Sequence, residues 1–100
     1  MVRIYVETEQ IALYCRKHFI RKLSLFGSVL RDDFRNDSDV DVLVEFSPGH
    51  IPGLLKIAEM ERELSSLMGG RNVEIRTPGD LSRYFRNEVV ESAETLYAQE

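Results

Sequence analysis

The chain predicts a small α/β sandwich, a layered domain in which helices and strands alternate. Three observations carry that expectation. Residues 39–46 and 73–76 alternate apolar and polar side chains with a period of two, as half-buried strands do. Between them Ile57, Met60, Leu64 and Leu67 recur at helical spacing. The clusters Ser47-Pro48-Gly49, Gly69-Gly70 and Thr77-Pro78-Gly79-Asp80 punctuate the boundaries with residues that break regular structure.

Each element follows in order. After a short apolar start (Val2, Ile4, Val6), Thr8 is expected to cap a helix running to about His18, with Ile11, Leu13, Tyr14, Cys15 and Phe19 on its buried side. Leu23 to Phe26 reads as a short strand that stops at Gly27. Ser28 to about Phe34 reads as one or two helical turns, and Arg35 to Ser38 as a polar loop. Asp39 to Phe46 is the clearest strand, with Val40, Val42 and Val44 on one face and Asp39, Asp41, Leu43 and Glu45 on the other. Pro52 suits the first turn of a helix that carries Leu54 and Met68 near its ends, and Gly69-Gly70 suits its stop. In Val73 to Arg76, Val73 and Ile75 lie opposite Glu74 and Arg76. A last helix is expected to present Leu81, Phe85, Val89, Ala93 and Leu96 as its apolar stripe. The order is helix, strand, short helix, strand, helix, strand, helix, around one three-layered core.

Bulk properties narrow the function. Residues 1–100 are read as a single domain, with 43% hydrophobic and 30% charged residues, as in an ordinary soluble globular protein. No run approaches the ~18 consecutive apolar residues of a membrane span, and Glu7 stands where a signal peptide needs apolar sequence, so a cytoplasmic protein with no membrane partner is expected. The single Cys15 makes no internal disulfide and reads as a core residue. His18 and His50 stand apart from each other and read as surface or packing residues. A net charge of −4 argues against broad binding to nucleic acid. Arg16, Lys17, His18, Arg21 and Lys22 still form a basic cluster, readable as cations complementing a helix dipole or as a landing strip for an acidic partner.

The residues that carry chemistry lie around Gly27-Ser28 and, after ten intervening residues, Asp39-Val40-Asp41. Two acids two apart on a strand share a face with Cα atoms about 6.5–7 Å apart, so both carboxylates can converge on one site. Burying them unpaired is costly, and a divalent magnesium ion, which prefers hard oxygen ligands, gives them a reason. Sites with two such ions stabilise both the attacking and the leaving oxygen, and generally take a third carboxylate. Glu74 is the candidate, because it interrupts an apolar strand and can face the aspartates if the two strands pair in the matching register. Its alternative is an edge-strand residue paired with Arg76 or Arg71. Gly27 allows close backbone approach, a helix start after it offers free N–H groups to a phosphate, and the Ser28 hydroxyl adds a donor. A calcium loop beginning at Asp37 fails, because Val42 stands where it needs Gly and Pro48 where it needs Glu. A Walker-type phosphate loop is excluded by the lack of any Gly-Lys-Ser/Thr.

These residues resemble the minimal nucleotidyltransferases of the DNA polymerase beta superfamily, small prokaryotic proteins often encoded beside a HEPN-domain partner. The resemblance covers nearly the whole chain. It centres on Phe26-Gly27-Ser28 and Asp39-Val40-Asp41-Val42-Leu43-Val44, and continues through Val73-Glu74-Ile75-Arg76-Thr77-Pro78 and Leu81 to Val89. It implies a nucleotidyltransferase-like fold, a small mixed sheet flanked by helices, using ATP or another NTP with two magnesium ions. Gly27 and Ser28 would hold the triphosphate, helped by Arg76 and, less directly, Arg31 and Arg35. Asp39, Asp41 and Glu74 would be the catalytic, metal-holding acids, with Glu74 where the family more often has Asp. Some members act as antitoxins by transferring AMP from ATP to a tyrosine of a HEPN ribonuclease toxin. The resemblance implies that reaction here.

So small a domain leaves little surface for an acceptor site, so the acceptor is expected from a partner protein or from self-assembly into a homo-oligomer. A final helix with Tyr84, Phe85 and Tyr97 could offer the docking face. Two alternatives stay open: a non-catalytic module that neutralises a toxin by stoichiometric contact, and a transferase acting on a small molecule or an RNA end.

Overall fold

In the computed structural model the described residues are 6–30 and 39–99, with Ser28 described by its backbone only. The elements are α1 (Thr8–Lys17), β1 (Ile20–Phe26), a 3-10 turn (Gly27–Leu30), β2 (Val40–Phe46), α2 (Leu54–Leu67), β3 (Val73–Arg76), a second 3-10 turn (Pro78–Asp80), α3 (Arg86–Ser92) and β4 (Glu94–Ala98). The expected apolar start at Val2 and Ile4, the second half of the turn after Ser28, and the polar loop at 35–38 lie outside the described residues.

The strands form one mixed sheet in the order β3-β2-β1-β4. β1 runs antiparallel to β2 and to β4, while β3 runs parallel to β2. Register places Leu23 opposite Val44, Leu25 opposite Val42, and Val42 opposite Ile75, so one sheet face is continuously apolar. Ile11, Tyr14 and Cys15 of α1 and Met60 and Leu64 of α2 join these residues in a single buried cluster. Removing that apolar surface from water is the main force holding the layers together. A hydrogen bond from the Tyr14 hydroxyl to the Met60 carbonyl (2.9 Å) ties α1 to α2.

Several local expectations need correction. Thr8 is the first helical residue, not the cap. Glu7 holds the cap position, and its carbonyl accepts from the Ile11 N–H at 3.0 Å. β1 begins three residues earlier than expected, because Phe19 adopts a left-handed φ of 57° and turns the chain straight from α1 into the sheet. A stack of its ring on His50 (centroids 3.9 Å apart) and a bond from the Ser47 N–H to its carbonyl (2.8 Å) hold that uncommon conformation. Leu13 and Phe19 are exposed, not part of the buried side of α1. Pro52 precedes the α2 cap, Gly53, and does not sit in the first turn, and Leu54 is 89% exposed.

The largest correction concerns the C-terminus. Leu81 to Leu96 is not one helix: α3 covers Arg86–Ser92 alone, and the chain then returns as β4 beside β1. Leu96 and Tyr97 thus meet the core from a strand, so Tyr97 shares no helical face with Tyr84 and Phe85.

The basic cluster follows the helix-end reading. Arg16 and Lys17 lie in the last turn of α1, Lys17 and His18 pair with Glu63 of α2 (3.2 and 2.9 Å), and Arg21 pairs with Glu45 (3.0 Å).

Candidate active site

The sheet face opposite the helices carries the polar residues, because alternation along β2 turns Asp41 away whenever Val40 and Val42 turn inward. Register lines up Phe26, Asp41 and Glu74 as one row across β1, β2 and β3. The next row, Ser24, Leu43 and Arg76, lies one pleat further along the same face. Asp41 and Glu74 are therefore cross-strand neighbours, as the matching-register expectation requires. Leu43 is 4% exposed, so this face has a buried apolar centre beside its acidic end.

Gly27 leaves β1 at φ +77°, a region that L side chains rarely adopt. A Cβ built on it would stand 2.6 Å from Asp41 Oδ2. The glycine thus lets the chain turn sharply and brings the turn's backbone against the Asp41 carboxylate. Ser28 continues the 3-10 turn Gly27–Leu30, which Val29 anchors by complete burial.

Asp39 lies one residue before β2 and shares no strand pairing. Its Oδ1 accepts from the Asn72 side-chain N–H at 3.0 Å. Glu74 pairs with Arg76 (Nη2 to Oε2, 3.3 Å), both half-exposed, so the edge-strand alternative for Glu74 is realised together with the register. Among the described residues no three His, Cys, Asp or Glu side chains close into a metal cage. The donor set still fits magnesium, which takes one or two carboxylates and completes its shell with water and substrate phosphates. Arg31 and Arg35, and the acids at 32, 33 and 37, lie outside the described residues.

Two side-chain contacts beside the site are not legible in the sequence. Asn72 makes one; its signal was a polar residue directly before an apolar strand. Glu61 of α2 makes the other: its carboxylate accepts the Ile75 N–H at 2.7 Å on the outer side of β3. Asp80 does the same for the Thr77 N–H at 3.0 Å, so two acids cap this sheet edge against further strand pairing.

The family described as Polymerase beta, nucleotidyltransferase matches residues 9–100. This chain belongs to that family. It is 46% identical over 52 residues to the protein adenylyltransferase MntA of Thermococcus cleftensis, a match spanning 52% of this chain and 50% of the relative's length. It is 30% identical over 77 residues to a candidate protein adenylyltransferase of Methanocaldococcus jannaschii, spanning 77% of this chain and 80% of that one. A solved candidate minimal nucleotidyltransferase superposes with a TM-score of 0.68 at 35% identity, covering 86% of this chain and 85% of the other. A toxin–antitoxin structure with AMP-PNP superposes with a TM-score of 0.72 at 18% identity, a likeness of fold, over 95% of this chain and 76% of that one. No described helix is long and apolar enough to cross a membrane.

Proposed function

We propose that this family member is a magnesium-dependent protein adenylyltransferase, moving AMP from ATP onto a tyrosine hydroxyl of a HEPN-type toxin and so acting as its antitoxin. The observation that carries the reading is the contact of the Gly27 turn with Asp41, in register with Glu74 on the neighbouring strand. The names of the Thermococcus and Methanocaldococcus relatives, and the toxin–antitoxin fold with AMP-PNP, support the same reaction class.

In this reading the acceptor oxygen attacks the α-phosphorus of ATP, the bond to the bridging oxygen breaks, and pyrophosphate leaves. Glu74 stands beside Asp41 and receives the hydroxyl proton. The Gly27-Ser28 backbone offers N–H groups to the triphosphate, and Arg76 can exchange Glu74 for a phosphate oxygen. Asp39 and Asp41 would hold magnesium, which neutralises charge on the phosphates. The rate then comes from positioning and electrostatic stabilisation, as in phosphoryl transfer generally.

The deciding experiment incubates the protein with magnesium, α-labelled ATP and its HEPN partner, comparing wild type with Asp41→Asn. Label on the partner with wild type alone supports the proposal. No label, with both proteins forming an equally stable complex, replaces it with the stoichiometric binding module.

A further inference from the structure

We infer that Asn72 is a positioning residue for Asp39, and through it a determinant of divalent-cation affinity at the acidic end of this sheet face. The inference rests on the proposed nucleotidyltransferase reading and adds to it a residue outside the Gly-Ser and Asp-x-Asp signatures.

Asp39 lies one residue before the first paired position of β2, whereas Asp41 is paired on both sides, with β1 and β3. Asn72 makes two contacts at this point from one residue. Its carbonyl accepts from the Val40 N–H at 2.8 Å, and its side-chain N–H donates to Asp39 Oδ1 at 3.0 Å. Only the amide NH2 can face a carboxylate, which accepts and never donates when ionised. The bond therefore fixes the orientation of the Asn72 amide and of the Asp39 carboxyl together.

Asn72 is exposed, and a single exposed bond on a mobile residue would contribute little against water. Asn72 is not mobile in that sense, because the turn before it is pinned to α2. Gly69 and Gly70 take φ of +76° and +84°, reversing the chain at the end of the helix. The Gly70 N–H donates to the Ser65 carbonyl at 2.8 Å, and the Ser65 hydroxyl donates to the Arg71 carbonyl. Two residues after Asn72 the same segment delivers Glu74 opposite Asp41. One turn, rooted in the last turns of α2, thus places both the neutral donor for Asp39 and Glu74, the acid paired with Asp41. Outer-shell partners of this kind orient a ligating carboxylate before the cation arrives, and their loss typically lowers metal affinity about 10–100-fold.

The test uses Mn2+ as the probe on the full chain, with affinity read from water-proton relaxation in the presence of a non-hydrolysable ATP analogue. The proteins are wild type, Asn72→Ala, the similarly sized apolar Asn72→Leu, Asp39→Ala, and the double variant Asp39→Ala with Asn72→Ala. The Asn72 carbonyl survives in every variant, so the Val40 bond persists and thermal melting of the metal-free protein should stay near wild type. Asn72→Ala and Asn72→Leu are each expected to weaken Mn2+ binding about tenfold or more. In the Asp39→Ala background the Asn72 change should weaken it no further, since the carboxylate it orients is gone. Equal affinity of the Asn72 variants and wild type overturns the inference, as does an equal loss in both backgrounds, which would mark Asn72 as merely structural. Absence of Mn2+ binding by wild type overturns the cation site itself and with it the reading on which the inference rests.

Discussion

Gly27 and Asp41 compete for one small volume: a methyl group on Gly27 would stand 2.6 Å from Asp41 Oδ2, on a backbone already at φ +77°. Gly27→Ala is therefore expected to act twice. The left-handed conformation costs an L side chain about 1–2 kcal/mol, and the new methyl displaces the carboxylate by a fraction of its own size. Misplacing a reacting group by ~1 Å can cost about a hundredfold in rate, so AMP transfer should fall by that order. Calorimetry and single-turnover labelling with α-labelled ATP measure the two effects separately. Wild-type activity in Gly27→Ala would mean that the reaction does not depend on this close approach.

Asp41→Asn removes the charge and keeps the shape. Asp41 belongs to the polar face and not to the apolar cluster, so the fold should survive the change with only a small shift in melting temperature. Transfer should be lost. A melting curve and the labelling assay on one preparation check both halves, and a large drop in melting temperature would make Asp41 structural.

The contact between α1 and α2 predicts a pH dependence. Burial works against ionisation of Glu63, yet hydrogen bonds from His18 and Lys17 outweigh it and hold this carboxyl below its ordinary value. A group whose folded pKa is lowered stabilises the fold above its unfolded pKa, about 4.3 for Glu, and that contribution is lost as the pH falls through the lowered value. Melting temperatures of wild type and Glu63→Gln should differ most near neutrality and converge in strong acid. Glu63 is 36% exposed, so the difference should be modest and shrink with added salt. Curves that run parallel down to pH 2.5 would dissociate Glu63 from the acid limb.

Cys15 is fully buried in the core, and burial pushes its thiol up to about 12. At pH 8 it should therefore resist a thiol-specific reagent in the native protein and react stoichiometrically in guanidinium, because the thiolate is the nucleophile. Rapid labelling without denaturant would mean that α1 opens readily from the sheet.

The parts of the fold legible in the sequence are those whose side-chain period is set locally. β2 and β3 announce themselves because every second residue is Val or Ile, and the Asp41–Glu74 register then follows from two strands sharing one apolar face. The acidic row was visible for the same reason. The start of β1 is not legible because Arg21 and Lys22 look like the end of a helix, while its true start depends on Phe19 turning against His50, a contact 31 residues away in sequence. Asn72 was hidden because its role comes from a backbone turn that only the helix end fixes. The C-terminus misled most. Leu81, Phe85, Val89, Ala93 and Leu96 keep helical spacing, but the open edge of β1 needs hydrogen-bond partners, and that tertiary demand overrides the local period.

That demand can be tested directly. β4 supplies the outer partners of β1 through Lys22↔Ala98, Leu23↔Tyr97, Ser24↔Thr95 and Leu25↔Glu94, and the Gln99 N–H adds a bond to the Arg21 carbonyl at 2.8 Å. Ser24, 2% exposed, donates its hydroxyl hydrogen bond to Thr95 at 3.4 Å. Deleting residues 94–100 should strip these bonds, uncover Leu23 and Leu25, and leave the β1 edge open to a second chain. The truncated protein should melt at a clearly lower temperature and self-associate on a sizing column, with rapid hydrogen exchange at β1 amides. A terminal helix lying over the sheet would give a different result on deletion: lost packing at Leu96, with the β1 amides still protected. Protected amides in a monomeric truncation would therefore return the C-terminus to a helix.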